Sequence, residues 1–243
     1  MINFSRSALL GVFLVLPVAV VSTPLAFADD ISLGSFATGT TAASLGYTSS
    51  QTAMVFNGYT ASAPTSLSNG TADTYSLATN GVWGNITGSN SSWIGISPGA
   101  GPLGASSPAL GFYQFSTSFD AAGGLYTGSI SLMADDTAEV LLNGQVLDSF
   151  TPLGSDVYCA DTGVNCRTAT LIPISGITLD AGNNTLVFIV EQAGILADSD
   201  PSGVNFAASL ASVVAPEPGS LILLSTGMLG LAAFYLRRRR AIA

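Results

Sequence analysis

The stretch Glu139-Val-Leu-Leu-Asn143-Gly144-Gln-Val-Leu147 decides how this chain is to be folded. Asn-Gly between two apolar flanks supplies the two positive-φ positions of a type I′ turn, the strongest short-range signal for a β-hairpin. Working outward, strand patterns recur on both sides. Upstream, Tyr113, Phe115, Thr117 and Phe119 alternate with Gln114, Ser116 and Ser118, the period of two that marks a half-buried strand. Tyr126–Met133 repeats it, with Ile130 and Leu132 on one face and Ser129 and Ser131 on the other. Downstream, Leu171–Leu179 and Thr185–Glu191 read as two more strands joined through Asp180-Ala-Gly-Asn-Asn184, and Phe206–Val213 as a closing one. Nearer the N-terminus, Ile31–Phe36, Thr52–Phe56, Thr74–Ala78 and Trp93-Ile94-Gly95-Ile96 are candidate strands in a region rich in Ser, Thr, Gly and Ala. Asp29–Val213 contains no useful helix-period stretch, so the expectation is one all-β domain over residues 29–213, with 29–92 the less regular part.

The ends of the chain are of a different kind. Met1–Ala28 has Arg6 in a short basic region, an apolar run over Ala8–Val21, and Ala26-Phe27-Ala28 before Asp29-Asp30. That is the pattern of a secretory signal cut after Ala28, with Ala26 and Ala28 as the small residues of the cleavage site. At the other end, Pro216-Glu217-Pro218-Gly219 precedes an uncharged run over Ser220–Leu236, which is followed by Arg237, Arg238, Arg239 and Arg240. The run reads as a single transmembrane helix over 220–236, about 25 Å long, held by its arginines on the cytoplasmic side.

Charge narrows the function. The 243 residues carry a formal charge of −9 and contain no His. Arg6 lies in the leader and four arginines lie in the tail, so Arg167 is the one basic residue in a body that carries almost all of the acids. Nucleic acid is excluded as a partner, because neutralising phosphates needs a basic patch. Without His or Lys, the usual activated Ser or Cys nucleophiles have no base, and the expectation is no enzymatic activity. A carboxylate-dependent glycosidase is the remaining catalytic alternative, drawing on Asp135, Asp136, Glu139, Asp148 or Glu191. Asp135-Asp136 has two readings: a hydrated turn between strands, or a pair of oxygen ligands for Ca²⁺. Trp93 is expected in the core; Trp83, between Gly81 and Gly84, is the better candidate of the two for exposure, although packing is the favoured reading for it as well. The two cysteines, Cys159 and Cys166, enclose a short polar loop in an exported chain and are expected to form a disulfide, contributing about 2.5 kcal/mol in the chain-entropy account.

Two resemblances add to this reading. Val214-Ala215-Pro216-Glu217-Pro218-Gly219-Ser220, the short Gly-containing run after it and the terminal Arg cluster closely resemble the PEP-CTERM sorting signal of Gram-negative bacteria. The resemblance implies recognition by an exosortase in the inner membrane, cutting near Pro216-Glu217-Pro218-Gly219, and passage to the cell surface or exopolysaccharide matrix. In the body, Trp93-Ile94, Phe115-x-x-x-Phe119-Asp120, Ala134-Asp135-Asp136 through Leu142-Asn143-Gly144, and Leu179-x-x-Gly182-Asn183-Asn184-Thr185-Leu186-x-Phe188 resemble galactose-binding-like and PA14-like modules. These imply a jelly-roll β-sandwich. The expected function is a noncatalytic surface or extracellular-matrix protein of the biofilm type. The alternative is a calcium-assisted carbohydrate-binding module whose partner is exopolysaccharide.

Overall fold

The computed structural model of the chain describes residues 30–39, 52–151, 153, 164–194, 200–213 and 218–240. It divides into two compact units, one formed by residues 27–214 and one by the two ends of the chain. The first unit is all-β. Its strands are β1 (Asp30–Ala37), β2 (Thr52–Thr60), β3 (Tyr75–Ser76), β4 (Ile94–Gly95), β5 (Gly111–Asp135), β6 (Thr137–Leu142), β7 (Gln145–Asp148), β8 (Thr170–Gln192) and β9 (Gly203–Ser212).

Two of these strands are much longer than their sequence patterns imply. Tyr113–Phe119 and Tyr126–Met133 are halves of the single strand β5, and Leu171–Leu179 and Thr185–Glu191 are halves of β8. The correction has a physical cause. β5 and β8 stay paired from Gly111↔Gln192 to Leu132↔Thr170, so the ribbon bends without breaking its ladder. The bend falls at Gly123 (φ 80°), Gly124 (φ 119°) and Gly182 (φ 90°), a backbone region that glycine enters without a side-chain clash.

Through that bend the ribbon serves two layers. The first half of β5 pairs with β2, and the second half of β8 with β6, which continues to β7. The second half of β5 pairs instead with β9, which pairs in turn with β1 and β4. A parallel contact between β1 and β2 joins the layers on the other side. The result is the expected β-sandwich.

Inward faces fill its core. Phe115, Phe188 and Val140 form one cross-strand row in the first layer. Phe206 comes from the second, and its ring centroid lies 4.6 Å from that of Phe188. All four are at most 2% exposed, and full burial of such a side chain stabilises by about 1.5–3 kcal/mol. The N-terminal third is part of the architecture: it supplies β1 to β4, and Leu77, Trp83, Ile86 and Trp93 build a second apolar cluster with Met133 and Cys166.

The Asn143-Gly144 hairpin forms as expected, with φ of 51° and 81° and Leu142 opposite Gln145. Asn143 does more than turn the chain. Its Oδ1 accepts from the Thr185 N–H at 2.9 Å, and its Nδ2 donates to Asn184 Oδ1 at 2.8 Å. Asn184 is 1% exposed and donates to the Asp180 and Gly182 carbonyls, so the two turns lock together. A Cβ on Gly144 would meet nothing within 4 Å, so Gly144→Ala isolates the backbone cost of a left-handed residue. We expect it to destabilise by about 1 kcal/mol, read as a lower urea midpoint at unchanged m-value.

The second unit is described through one helix, α1 (Pro218–Arg240). Pro218 stands at its first position, where a missing N–H costs nothing. Met228, Leu229, Leu231, Phe234 and Tyr235 are all exposed. Among the described residues, however, no helix is long and apolar enough to cross a membrane. α1 covers the whole of the expected span over 220–236, with Arg237–Arg240 in its final turn, and the membrane crossing itself stays an expectation.

Candidate functional site

Where β5 ends, the chain leaves one layer of the sandwich and enters the other at Asp135-Asp136 before β6 begins. The peptide between them is cis. Both side chains turn inward: Asp135 is fully buried and Asp136 is 3% exposed. This overturns the hydrated-turn reading. The crossover between layers places these carboxylates under neighbouring chain instead of at a surface bend.

Three further buried polar residues belong to this end of the sandwich. Gln192 closes β8, Asp200 precedes β9, and Asn205 lies within β9 opposite Met133. They are at most 1% exposed. Ser202 Oγ donates to the Asp135 carbonyl at 3.2 Å, and the Asp200 N–H donates to Ser107 Oγ at 3.0 Å, which hold the segment before β9 in place.

The hydrogen bonds at this site are incomplete. Trp83 Nε1 donates to Asp135 Oδ2 at 2.6 Å, and the Ala193 N–H donates to Asp136 Oδ2 at 2.7 Å. Among the described residues, Asp135 Oδ1, both carboxylate oxygens of Asp200 and both amide atoms of Gln192 make no hydrogen bond of good geometry, although all are buried and the Gln192 amide lies near enough to Asp200 to favour its ionised form. Asn205 Oδ1 accepts from Ser35 Oγ at 3.0 Å, leaving its Nδ2 without a partner. Unpaired buried polar atoms are rare, because each forfeits its hydration without replacement.

Electrostatics point the same way. Burial pushes Asp135 well above the usual carboxylate range. The charge of Asp136 adds to this and the Trp83 N–H opposes it. Burial likewise pushes Asp136 up to about 7, against the Ala193 N–H. Asp200 is raised by burial, with Gln192 opposing. These acids share a low-dielectric space and disfavour one another's ionised forms. Oxygen-rich sites of this chemistry suit a hard cation such as Ca²⁺. Among the described residues, no three carboxylate, cysteine or histidine side chains are grouped closely enough to hold a metal ion by themselves. A cation here would therefore draw on the Gln192 amide oxygen as well as on carboxylates.

The other expected residues are distributed as follows. Trp83 is not exposed: it is 2% accessible and stacks on Trp93, with ring centroids 4.1 Å apart. Gly84 permits this, because a Cβ there would collide with the Arg167 carbonyl. Trp93 is in the core as expected, its Nε1 donating to the Gly84 carbonyl at 2.7 Å. Glu139, Asp148 and Glu191 lie on β6, β7 and β8, respectively, and are partly buried. Cys166 is fully buried, with its Sγ 3.7 Å from the Val82 carbonyl. Cys159, Ala26, Ala28, Pro216 and Glu217 lie outside the described residues, so the expected Cys159–Cys166 bridge and signal cleavage remain expectations. Pro218 and Gly219 open α1, and Arg237–Arg240 close it.

Gln192, Asp200 and Asn205 were not singled out from sequence. An isolated Gln or Asp beside a turn carries no periodic signal, and only the fold shows that these residues are buried together with Asp135.

Comparison with known proteins places one family motif on the chain: residues 214–240 match the PEP-CTERM protein-sorting motif. No curated protein matches the sequence. Among solved structures, a family 35 carbohydrate binding module from Clostridium thermocellum aligns over 58% of this chain and 88% of its own, at 15% identity and a TM-score of 0.32. The Podospora anserina GH26-CBM35 β-(1,4)-mannanase aligns over 48% of this chain and 24% of its own, at 19% identity and a TM-score of 0.26. The PA14 domain of the MpAFP antifreeze protein aligns over 46% and 50%, at 14% identity and a TM-score of 0.24. None of these likenesses extends over the fold as a whole.

Proposed function

We propose that this chain, whose residues 214–240 are a PEP-CTERM protein-sorting motif, is an exported β-sandwich protein delivered to the cell surface or extracellular matrix by exosortase processing of its tail. The single observation that carries the reading is the order of parts in that tail: a Pro-Glu-Pro-Gly motif, a short apolar stretch and a terminal arginine cluster. The body then acts as a noncatalytic component of the surface or of an exopolysaccharide matrix. An acidic exterior without Lys suits it to a soluble, self-repelling life outside the cell.

The test is the intact mass of the native protein from membrane, surface and matrix fractions of its own host. A mass running from Asp29 to a point between Pro216 and Gly219, recovered outside the inner membrane, is the expected result. A tail intact through Ala243, found only in the inner membrane, would overturn the proposal.

A second reading is favoured by the unpartnered oxygens around Asp135. Asp135 Oδ1, the Asp200 carboxylate and the Gln192 amide oxygen are a donor set that fits Ca²⁺. Asp135 and Asp200 would supply charge and Gln192 a neutral ligand. The bound cation would offset the mutual repulsion of the acids and fix this end of the sandwich. On this reading the body is a calcium-assisted carbohydrate-binding module.

A further inference from the structure

A second place on the sandwich leaves buried polar atoms without partners, and it has a different chemistry. The outward face of the first layer carries Gln114, Ser116 and Ser118 on β5, opposite the face that packs in the core. The segment Leu67–Thr71 folds down beside this face and is held by main-chain contacts. The Gly70 N–H donates to the Asn57 carbonyl at 3.0 Å, and Asn57 Nδ2 donates to the Gly70 carbonyl at 2.9 Å. Phe56 and Ala72 then pair as an isolated bridge. Glycines make the close approach possible. A Cβ on Gly70 would collide with the Asn57 carbonyl, and one on Gly58 would come within 3.0 Å of Ser68. A bulge at Asn57, where the β2–β5 register shifts between Phe56 and Gly58, presents the Asn57 side chain to the same segment.

Between this segment and the sheet lies a pocket of about 330 Å³. Its lining includes no charged residue. Val55, Ser116 and Val187 form one cross-strand row, which places two branched apolar side chains on either side of a hydroxyl. Ser118 and Thr185 form the next row. Gln114 borders the pocket and is fully buried; its Oε1 accepts from the Ser68 N–H at 2.8 Å, and its Nε2 has no partner among the described residues. Asn57 Oδ1 is likewise buried and unpartnered. The site thus offers an amide donor, an amide acceptor, several hydroxyls and an apolar patch, with no charge.

We propose that this pocket binds a neutral, polyhydroxylated ring of the size of one glycosyl unit. Such a ring has an apolar C–H face to lay against Val55 and Val187. Its equatorial hydroxyls can donate to Asn57 and accept from Gln114. Phosphate and carboxylate ligands are disfavoured, because no cation in the pocket would replace their hydration. The site is independent of the tail and of the acidic cluster, and it gives residues 67–71 of the Ser/Thr/Gly-rich region a role as one wall.

The test is saturation-transfer NMR and calorimetric titration of the native protein with a panel of methyl glycosides in EDTA. At least one glycoside is expected to bind, with a Kd on the order of 0.1–10 mM, the range of a single-ring contact. Ser118 is exposed, so Ser118→Trp fills the pocket mouth without touching the core; it is expected to weaken binding by roughly tenfold or more at unchanged melting temperature. Thr127→Trp, on the outward side of the other half of β5, is expected to leave binding unchanged. Ser116→Ala provides a second reading, of lost affinity without added bulk, should Ser118→Trp lower the melting temperature. No bound glycoside, binding unaffected by both pocket variants, or binding that appears only with calcium would each overturn the proposal. None of these outcomes bears on where the protein is sorted.

Discussion

Trp83→Ala is expected to cost about 4–8 kcal/mol, enough to unfold much of the population of a domain with ordinary stability. Two losses combine. Trp83 is 2% exposed and stacks on Trp93 within the second apolar cluster, so truncation leaves a large cavity beside β4 and β5. Phe or Trp truncation in a core costs about 3–5 kcal/mol by itself. Its Nε1 is also the donor that the structure gives to Asp135 Oδ2, and an acceptor left unpaired in a buried site costs about 1–3 kcal/mol more. Trp83→Phe separates the two, because it keeps most of the ring and removes the N–H. We expect Trp83→Phe to lose roughly a third of what Trp83→Ala loses, measured as urea unfolding midpoints at constant m-value. Equal losses would mean that the hydrogen bond, not the packing, dominates; no loss in either variant would contradict the buried position of the indole.

Calcium is expected to raise the melting temperature of the native protein, and Asp135→Asn to remove that gain. At a free concentration of about one hundred times Kd, binding to the folded state alone stabilises by about 2.7 kcal/mol. For a domain of this size that corresponds to roughly 5–10 °C. The sign of the pH dependence provides an internal check. Burial pushes Asp136 up to about 7, and Asp135 is also raised, so the folded state holds protons that the unfolded chain has released. Without calcium, stability is greatest below the ordinary carboxylate range, around pH 4, and falls as pH rises through about 7. A bound cation favours the ionised acids, so with calcium the decline should flatten or reverse. Differential scanning calorimetry between about pH 4 and 8, with calcium and with EDTA, measures both effects. Identical pH profiles with and without calcium would remove the cation reading and leave the acids as a protonated, purely structural cluster.

Most strand positions were legible because a strand repeats its message every second residue. Tyr113, Phe115, Thr117 and Phe119 announce a buried face without reference to any partner, and the structure buries all four. Asn143-Gly144 was legible for a similar reason, since positive φ is a local demand met by few residues. The limits of β5 and β8 were not. The strand pattern stops at Phe119 and restarts at Tyr126, and stops at Leu179 and restarts at Thr185, yet the paired ribbon continues through Gly123, Gly124 and Gly182, because ladder hydrogen bonds on each side outweigh the local preference for a turn. Packing of Trp83 is the favoured sequence reading, but its partners are not legible: Gly84 lets the chain approach the Arg167 carbonyl, and the indole stacks on Trp93.

The sequence by itself determined the tail motif, the acidic and His-free body, the all-β class and the hairpin. Each of these depends on composition, on a period of two, or on a few adjacent residues. Only the tertiary structure decided what Asp135 and Gln114 do. Asp135 is buried with Gln192, Asp200 and Asn205 at one end of the sandwich because the crossover from β5 to β6, the end of β8 and the start of β9 meet there. Gln114 borders a pocket because a bulge at Asn57 and two glycines let a distant segment settle beside its strand. The free energy of a buried polar atom depends on what chain folding places next to it, and that neighbour can lie dozens of residues away.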